Sequence, residues 1–113
     1  MEILLETDVT VLGQQIAYPE GPATITAAIV TLPPGAVLAP HLHAVPLLAH
    51  MLQGELIVDY GSEGEIVYGP GDTFVEAIDW PHQGRNGGRG VVRLLVFYAG
   101  TEGVPNSEPA DLE

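Results

Sequence analysis

Glycine and proline interrupt this chain so often that no long helix fits between them. The breaks fall at Gly13, Pro19, Gly21–Pro22, Pro33–Pro34–Gly35, Pro40, Pro46, Gly54, Gly61, Gly64, Gly69–Pro70–Gly71, Pro81 and Gly84. Proline lacks the backbone donor a helix needs, and glycine loosens the chain on either side of it. Between the breaks lie short runs rich in β-branched and aliphatic residues: Ala23–Leu32, Leu47–Leu52, Glu55–Tyr60, Glu65–Tyr68, Thr73–Ile78 and Val91–Ala99. In Glu55–Tyr60 the residues Leu56, Val58 and Tyr60 share one face and both acids share the other, as a half-buried strand requires. Val91–Tyr98 is apolar on both faces apart from Arg93, which predicts a central or interface strand. Many short strands with regular turn signals predict an all-β sandwich or barrel, and Gly61-Ser62-Glu63-Gly64 reads as a hairpin loop.

The length of 113 residues, 46% of them apolar, suits a single domain over 1–113. The barrel core is expected over about 23–100. From 101 to 113 the chain has four acids, two prolines and no aromatic residue, and reads as a tail that lies on the surface or frays. Fifteen acids face three arginines and no lysine, for a formal charge of −12. Such a surface repels phosphates, so neither nucleic acid nor an anionic membrane is an expected partner. The absence of cysteine excludes disulfides, thiolate catalysis and cysteine-held zinc or iron–sulfur centres, and the absence of lysine excludes Schiff-base chemistry. No stretch approaches the roughly 18 apolar residues of a membrane span, and the acidic start lacks a basic leader, so a cytoplasmic location is expected.

Four histidines carry the chemical signal: His41, His43, His50 and His82. His41-Leu42-His43 is an i, i+2 pair, which in a strand projects both rings from one face and lets them converge on one ion. Two surface histidines on a strand would look the same, so the pair alone does not decide. Its surroundings add to it. Gly35 precedes His41 by a five-residue gap, and Gly54 follows His43 by eleven residues. Gly71 opens a stretch that reaches His82, with Asn86 four residues further on.

These pieces, in this order, resemble the two signature motifs of the cupin superfamily, G-x5-H-x-H-x3,4-E-x6-G and G-x5-P-x-G-x2-H-x3-N. Gly71, His82 and Asn86 keep the second motif's spacing, while its internal Pro and Gly fall on Ala77 and Asp79. The resemblance spans about residues 25 to 99. It implies a double-stranded β-helix, a small jelly-roll barrel, with His41, His43 and His82 holding one divalent transition metal (Fe, Mn, Ni, Zn, Co or Cu) inside it. A homodimer and a small-molecule ligand or substrate are implied as partners. Three neutral imidazoles are in any case a plausible donor set for such an ion.

The motif's glutamate falls on Leu47, which cannot ligate. His50 is three residues further on, so in an unbroken strand it points to the other face, and only a bulge would bring it inward. Without that glutamate the ion keeps its full charge and favours an anionic chelating ligand. Glu76 is the candidate catalytic residue, an acid set among Phe74, Val75, Ala77 and Ile78. Pointing inward, it would orient a ligand histidine or a water, or less readily bind the ion; pointing outward, it would be one more surface acid.

Asn86 is expected on the same face as His82 in a structural role. Trp80 either caps a pocket or fills the core, and Leu47, Met51, Leu95 and Phe97 are candidate pocket walls. Arg85 and Arg89 read as turn residues paired with acids within Gly84–Gly90, and Arg93 as an anchor for a substrate or interface carboxylate. Neither Ser62 nor Ser107 has the context of a hydrolase nucleophile. Three functions fit: a dioxygenase-like metal enzyme acting on a small chelating anion, a non-catalytic module binding a metal or small ligand, and a metal-dependent isomerase or lyase.

Overall fold

The apolar runs between the glycine and proline breaks pair antiparallel throughout. The computed structural model describes residues 1–112, among which there are nine strands and no α-helix. The strands are β1 (Ala23–Leu32), β2 (His41–Leu42), β3 (Leu47–Gln53), β4 (Leu56–Asp59), β5 (Glu65–Tyr68), β6 (Thr73–Val75), β7 (Gln83–Asn86), β8 (Val92–Thr101) and β9 (Glu108–Pro109). One sheet has the order β1-β8-β3-β6, a second β5-β4-β7, and β2 pairs with β9 alone.

Alternation sorts the side chains. Leu47, Ala49 and Met51 on β3, Leu56 and Val58 on β4, and Val92, Leu94 and Val96 on β8 all point inward and are buried. They form one core with Tyr60, Tyr68 and Phe74, so the two sheets close on a shared interior. The Tyr68 and Phe74 rings stack with centroids 3.7 Å apart. Each large buried aliphatic side chain contributes about 1.5–3 kcal/mol by leaving water.

Three features depart from the expectation. β6 ends at Val75, three residues early, and Asp79 then turns with a positive φ of 51°. The polar Gln83–Asn86 is a strand rather than a turn, because β4 supplies the partner that its composition does not announce. The segment expected as a tail lies on the surface but is tied to the barrel: β8 runs on through Thr101, Asn106 Nδ2 donates to Thr26 Oγ1 at 3.2 Å, and β9 pairs with β2.

Two motif residues hold the frame. Asn86 Nδ2 faces the carbonyls of Leu32, Pro33 and Gly90 at 3.0, 3.1 and 2.7 Å, and its Oδ1 accepts from Gly88 N. Gly54 turns the chain from β3 into β4 at φ 82°, where a Cβ would lie 2.5 Å from the Val91 carbonyl oxygen and 2.9 Å from Val92 Cα. Both contacts are backbone and cannot swing aside. Gly54→Ala is therefore expected to cost about 2 kcal/mol or more in urea unfolding, through clash and a strained φ together. An unchanged midpoint would show that the turn relaxes freely.

Candidate metal centre

His41 and His82 face each other across a reciprocal backbone pair. His41 N donates to His82 O at 3.0 Å, and His82 N donates to His41 O at 2.9 Å. A pair that exchanges both bonds sets two residues directly opposite, with side chains on the same face. His43 lies two residues beyond His41 and so returns to that face. The three rings meet with centroids 4.6 Å apart for His41–His82 and 5.0 Å for each pair involving His43. One ring nitrogen from each lies within 4.8 Å of the other two.

The other nitrogen of each ring is committed to a carbonyl. Nδ1 of His41 bonds Ala39 O at 2.8 Å, Nδ1 of His43 bonds Asn106 O at 3.0 Å, and Nδ1 of His82 bonds Trp80 O at 2.9 Å. A carbonyl only accepts, so in the neutral ring each Nδ1 carries the proton and each Nε2 keeps its lone pair. Three neutral imidazoles with free Nε2 atoms turned to one point are the donor set a divalent transition metal needs. Burial holds the His43 and His82 rings neutral, pushing each down to about 4 against backbone bonds that pull the other way.

Glu76 lies inside. It is 5% exposed and stands beside Leu47, whose carbonyl accepts its N–H at 2.9 Å. A carboxylate thus appears one strand over from the position where the motif would put it. Glu76 Oε1 accepts from the Tyr60 hydroxyl at 2.6 Å and from Ala77 N at 2.8 Å. Glu76 Oε2 lies 3.7 Å from His82 Nε2, too far for a hydrogen bond. Tyr60 bonds in turn to the Tyr68 hydroxyl at 2.8 Å. Burial raises the carboxyl pKa, opposed by the bonds from Tyr60 and Ala77. Burial also raises both phenols, which therefore stay protonated. Neither tyrosine was singled out by sequence as part of the site; both alternate as ordinary core residues, and only the fold reveals that Tyr60 bonds the acid and Tyr68 bonds Tyr60.

The three histidines and Glu76 line a cavity of about 340 Å³ whose walls include Leu47, Leu56, Phe74, Leu94 and Val96. Of the four expected wall residues, only Leu47 lines it. Met51 is buried deeper in the core, Leu95 alternates outward, and Phe97 is 40% exposed on the outer face. His50 also faces outward, bonded to Thr73 Oγ1 at 2.7 Å; the bulge in β3 falls between Met51 and Gln53, after it. Trp80 fills the core edge and donates to Tyr60 O at 2.9 Å. Arg85 pairs with Glu65 at 2.5 Å from a strand, and Arg93 is exposed and remote from the cavity, so it anchors no ligand there.

The depressed imidazoles give a measurable signature. In metal-free protein the ring resonances of His43 and His82 are expected to titrate near pH 4. The unfolded chain takes up these protons below about pH 6.5 while the folded one refuses them. Both rings therefore withdraw stability as pH falls through that window, whereas Glu76, with its raised pKa, acts in the opposite sense. Midpoints near 6.5 in NMR would overturn the burial argument.

Comparison with known proteins bears on the fold. No curated protein sequence matches the chain. Among solved structures, Bacillus subtilis oxalate decarboxylase with its Mn(II) centres aligns at TM-score 0.65 and 21% identity, over 76% of this chain and 24% of that one. A DMSP lyase from Ruegeria pomeroyi aligns at 0.65 and 22%, over 76% and 43%. The polyketide cyclase RemF from Streptomyces resistomycificus aligns at 0.66 and 19%, over 82% and 64%. This chain thus spans less than two thirds of each of these relatives, and the likeness is one of fold. The cupin domain family matches residues 28–98, the stretch that contains all three clustered histidines, and the chain belongs to that family.

Proposed function

We propose that the protein is a metal-dependent enzyme of the dioxygenase type, acting on a small chelating anion. The observation that carries this reading is the set of three Nε2 atoms, held free by three Nδ1-to-carbonyl bonds, at the wall of a cavity that also holds Glu76. His41, His43 and His82 would hold one divalent ion, drawn from Fe, Mn, Ni, Zn, Co or Cu. Leu47 donates nothing, so coordination positions stay open for a bidentate ligand. The bound ion would supply Lewis acidity and, if redox-active, access to O2.

The chain's own residues supply the rest. Tyr60 and Ala77 N fix Oε1 of Glu76 and leave Oε2 free to take the proton of a substrate C–H or O–H. Burial makes that carboxylate a stronger base than an exposed one. The aliphatic walls keep water from the reacting end. A second reading, an isomerase or lyase that needs no O2, is favoured by the same buried carboxylate, since proton movement alone would suffice.

Metal analysis is expected to give one ion per chain without a polyhistidine tag, lost in His41→Ala, His43→Ala and His82→Ala. Fe(II)-loaded protein is expected to consume O2 with a dicarbonyl, thiol or phenolic candidate. No uptake with any of them would overturn the dioxygenase reading. Glu76→Gln is expected to keep the metal and lower turnover by about 10²–10⁴-fold; full activity would remove its proton-carrying role.

The homodimer belongs to this proposal. The outer face of the β1-β8-β3 sheet exposes Ile25, Ile29, Leu48 and Phe97, an apolar surface suited to a second copy. Light scattering at micromolar concentration is expected to give twice the chain mass of 11.9 kDa. A monomer would remove the claim.

A further inference from the structure

The cavity's polar groups all gather at its histidine end. Glu76 stands beside His82, and the Tyr98 ring lies 5.6 Å from that of His43. Ser107 follows Asn106, whose carbonyl bonds His43 Nδ1. Beyond these residues the lining is carbon, with Val30, Leu32, Leu38, Val58 and Phe74 among it, and Gly84. No arginine lines the cavity, and the chain has no lysine. Arg85 is spent on Glu65, and Arg89 and Arg93 are exposed.

From this distribution we infer the substrate class: a monoanionic oxygen chelator with an apolar body, such as a branched or aryl 2-oxo acid or 1,3-dicarbonyl, and not a dianion. This rests on the metal-binding reading of the three histidines and says what that site selects. The chelating head takes the open positions at the ion, where the only compensating positive charge lies. The remainder must then enter a region that offers no hydrogen-bond donor and no cation. A second carboxylate there would lose its water without a partner, and it would share the cavity with the buried acid Glu76. An aliphatic or aromatic body of several carbons fills the same region with gain, and the volume of about 340 Å³ accommodates it.

The neighbouring oxalate decarboxylase fold makes the contrast concrete, because oxalate has no body beyond its two carboxylates. Here the far walls would be left empty by such a ligand. The cavity is built for a molecule with two unlike ends.

A matched set of 2-oxo acids tests this, since the chelating head stays constant and only the tail changes. Ni(II)-loaded protein, its metal content fixed by elemental analysis, is titrated calorimetrically at pH 7 with pyruvate, 4-methyl-2-oxopentanoate and 2-oxoglutarate. The branched acid is expected to bind about tenfold tighter than pyruvate, the range that a few buried methyl groups provide. 2-Oxoglutarate is expected to bind no tighter than pyruvate. Leu38→Lys puts a cation on the carbon wall at a side chain already 36% exposed, and is expected to narrow the gap between the two longer acids by about tenfold. Tighter binding of 2-oxoglutarate than of the branched acid, with nickel retained, overturns the substrate class and leaves the metal site standing. Failure to hold nickel in the wild-type protein overturns the metal reading, and this inference with it.

Discussion

The pair of backbone hydrogen bonds between His41 and His82 is the constraint on which the site depends. It joins two segments forty-one residues apart in a single bridge and sets their side chains opposite each other. His43 then needs no separate device, since two residues of extended chain return it to the same face. The sheets around this bridge are ordinary antiparallel packing with an aliphatic interior. Their contribution to chemistry is to hold the bridge still and to keep water from one side of it. Two prolines flank the arrangement, Pro40 before His41 and Pro81 before His82, and neither removes a donor the bridge requires.

The electrostatics follow from burial and not from surface charge. Of the fourteen acids among the described residues, thirteen lie outside the core, where solvent screens them. Among the described residues Glu76 alone is sunk into the core beside the histidines, bonded by Tyr60, which Tyr68 bonds in turn. Such a group is costly in an empty cavity. The cost falls when a cation enters beside it, because the ion favours the charged form of the acid while the imidazoles stay neutral. On the proposed metal reading, the arrangement would therefore prefer a filled site over an empty one.

Much of this was legible in the residues. The strand runs stood out because glycine and proline cut the chain into strand-length pieces, and alternation on β4 named its inward residues correctly. The histidine spacing gave the cluster, and odd parity put His50 on the outer face. The rest was hidden for physical reasons. Gln83–Asn86 has no apolar residue, so only its neighbour makes it a strand. Phe97 and Leu95 look like wall residues until β8 is seen to alternate with Leu94 and Val96 inward. Tyr60 follows β4 and Tyr68 ends β5, eight residues further on, and nothing in the sequence says that their hydroxyls meet. Arg93 looked like an anchor because it interrupts an apolar strand, yet a strand exposed on one face tolerates a charge at no cost.

The segment after β8 has the furthest reach. The carbonyl of Asn106 holds the proton on Nδ1 of His43, sixty-three residues away in sequence, while β9 clamps the strand that holds His41. With the proposed ion bound, docking of this strap and occupation of the centre would be linked equilibria. Whatever free energy the ion gains from a docked strap, the strap gains from the ion. A chain with an empty centre would hold the segment that carries Asn106 and β9 less firmly than a loaded one, so occupancy of the interior would be reported at the molecule's edge.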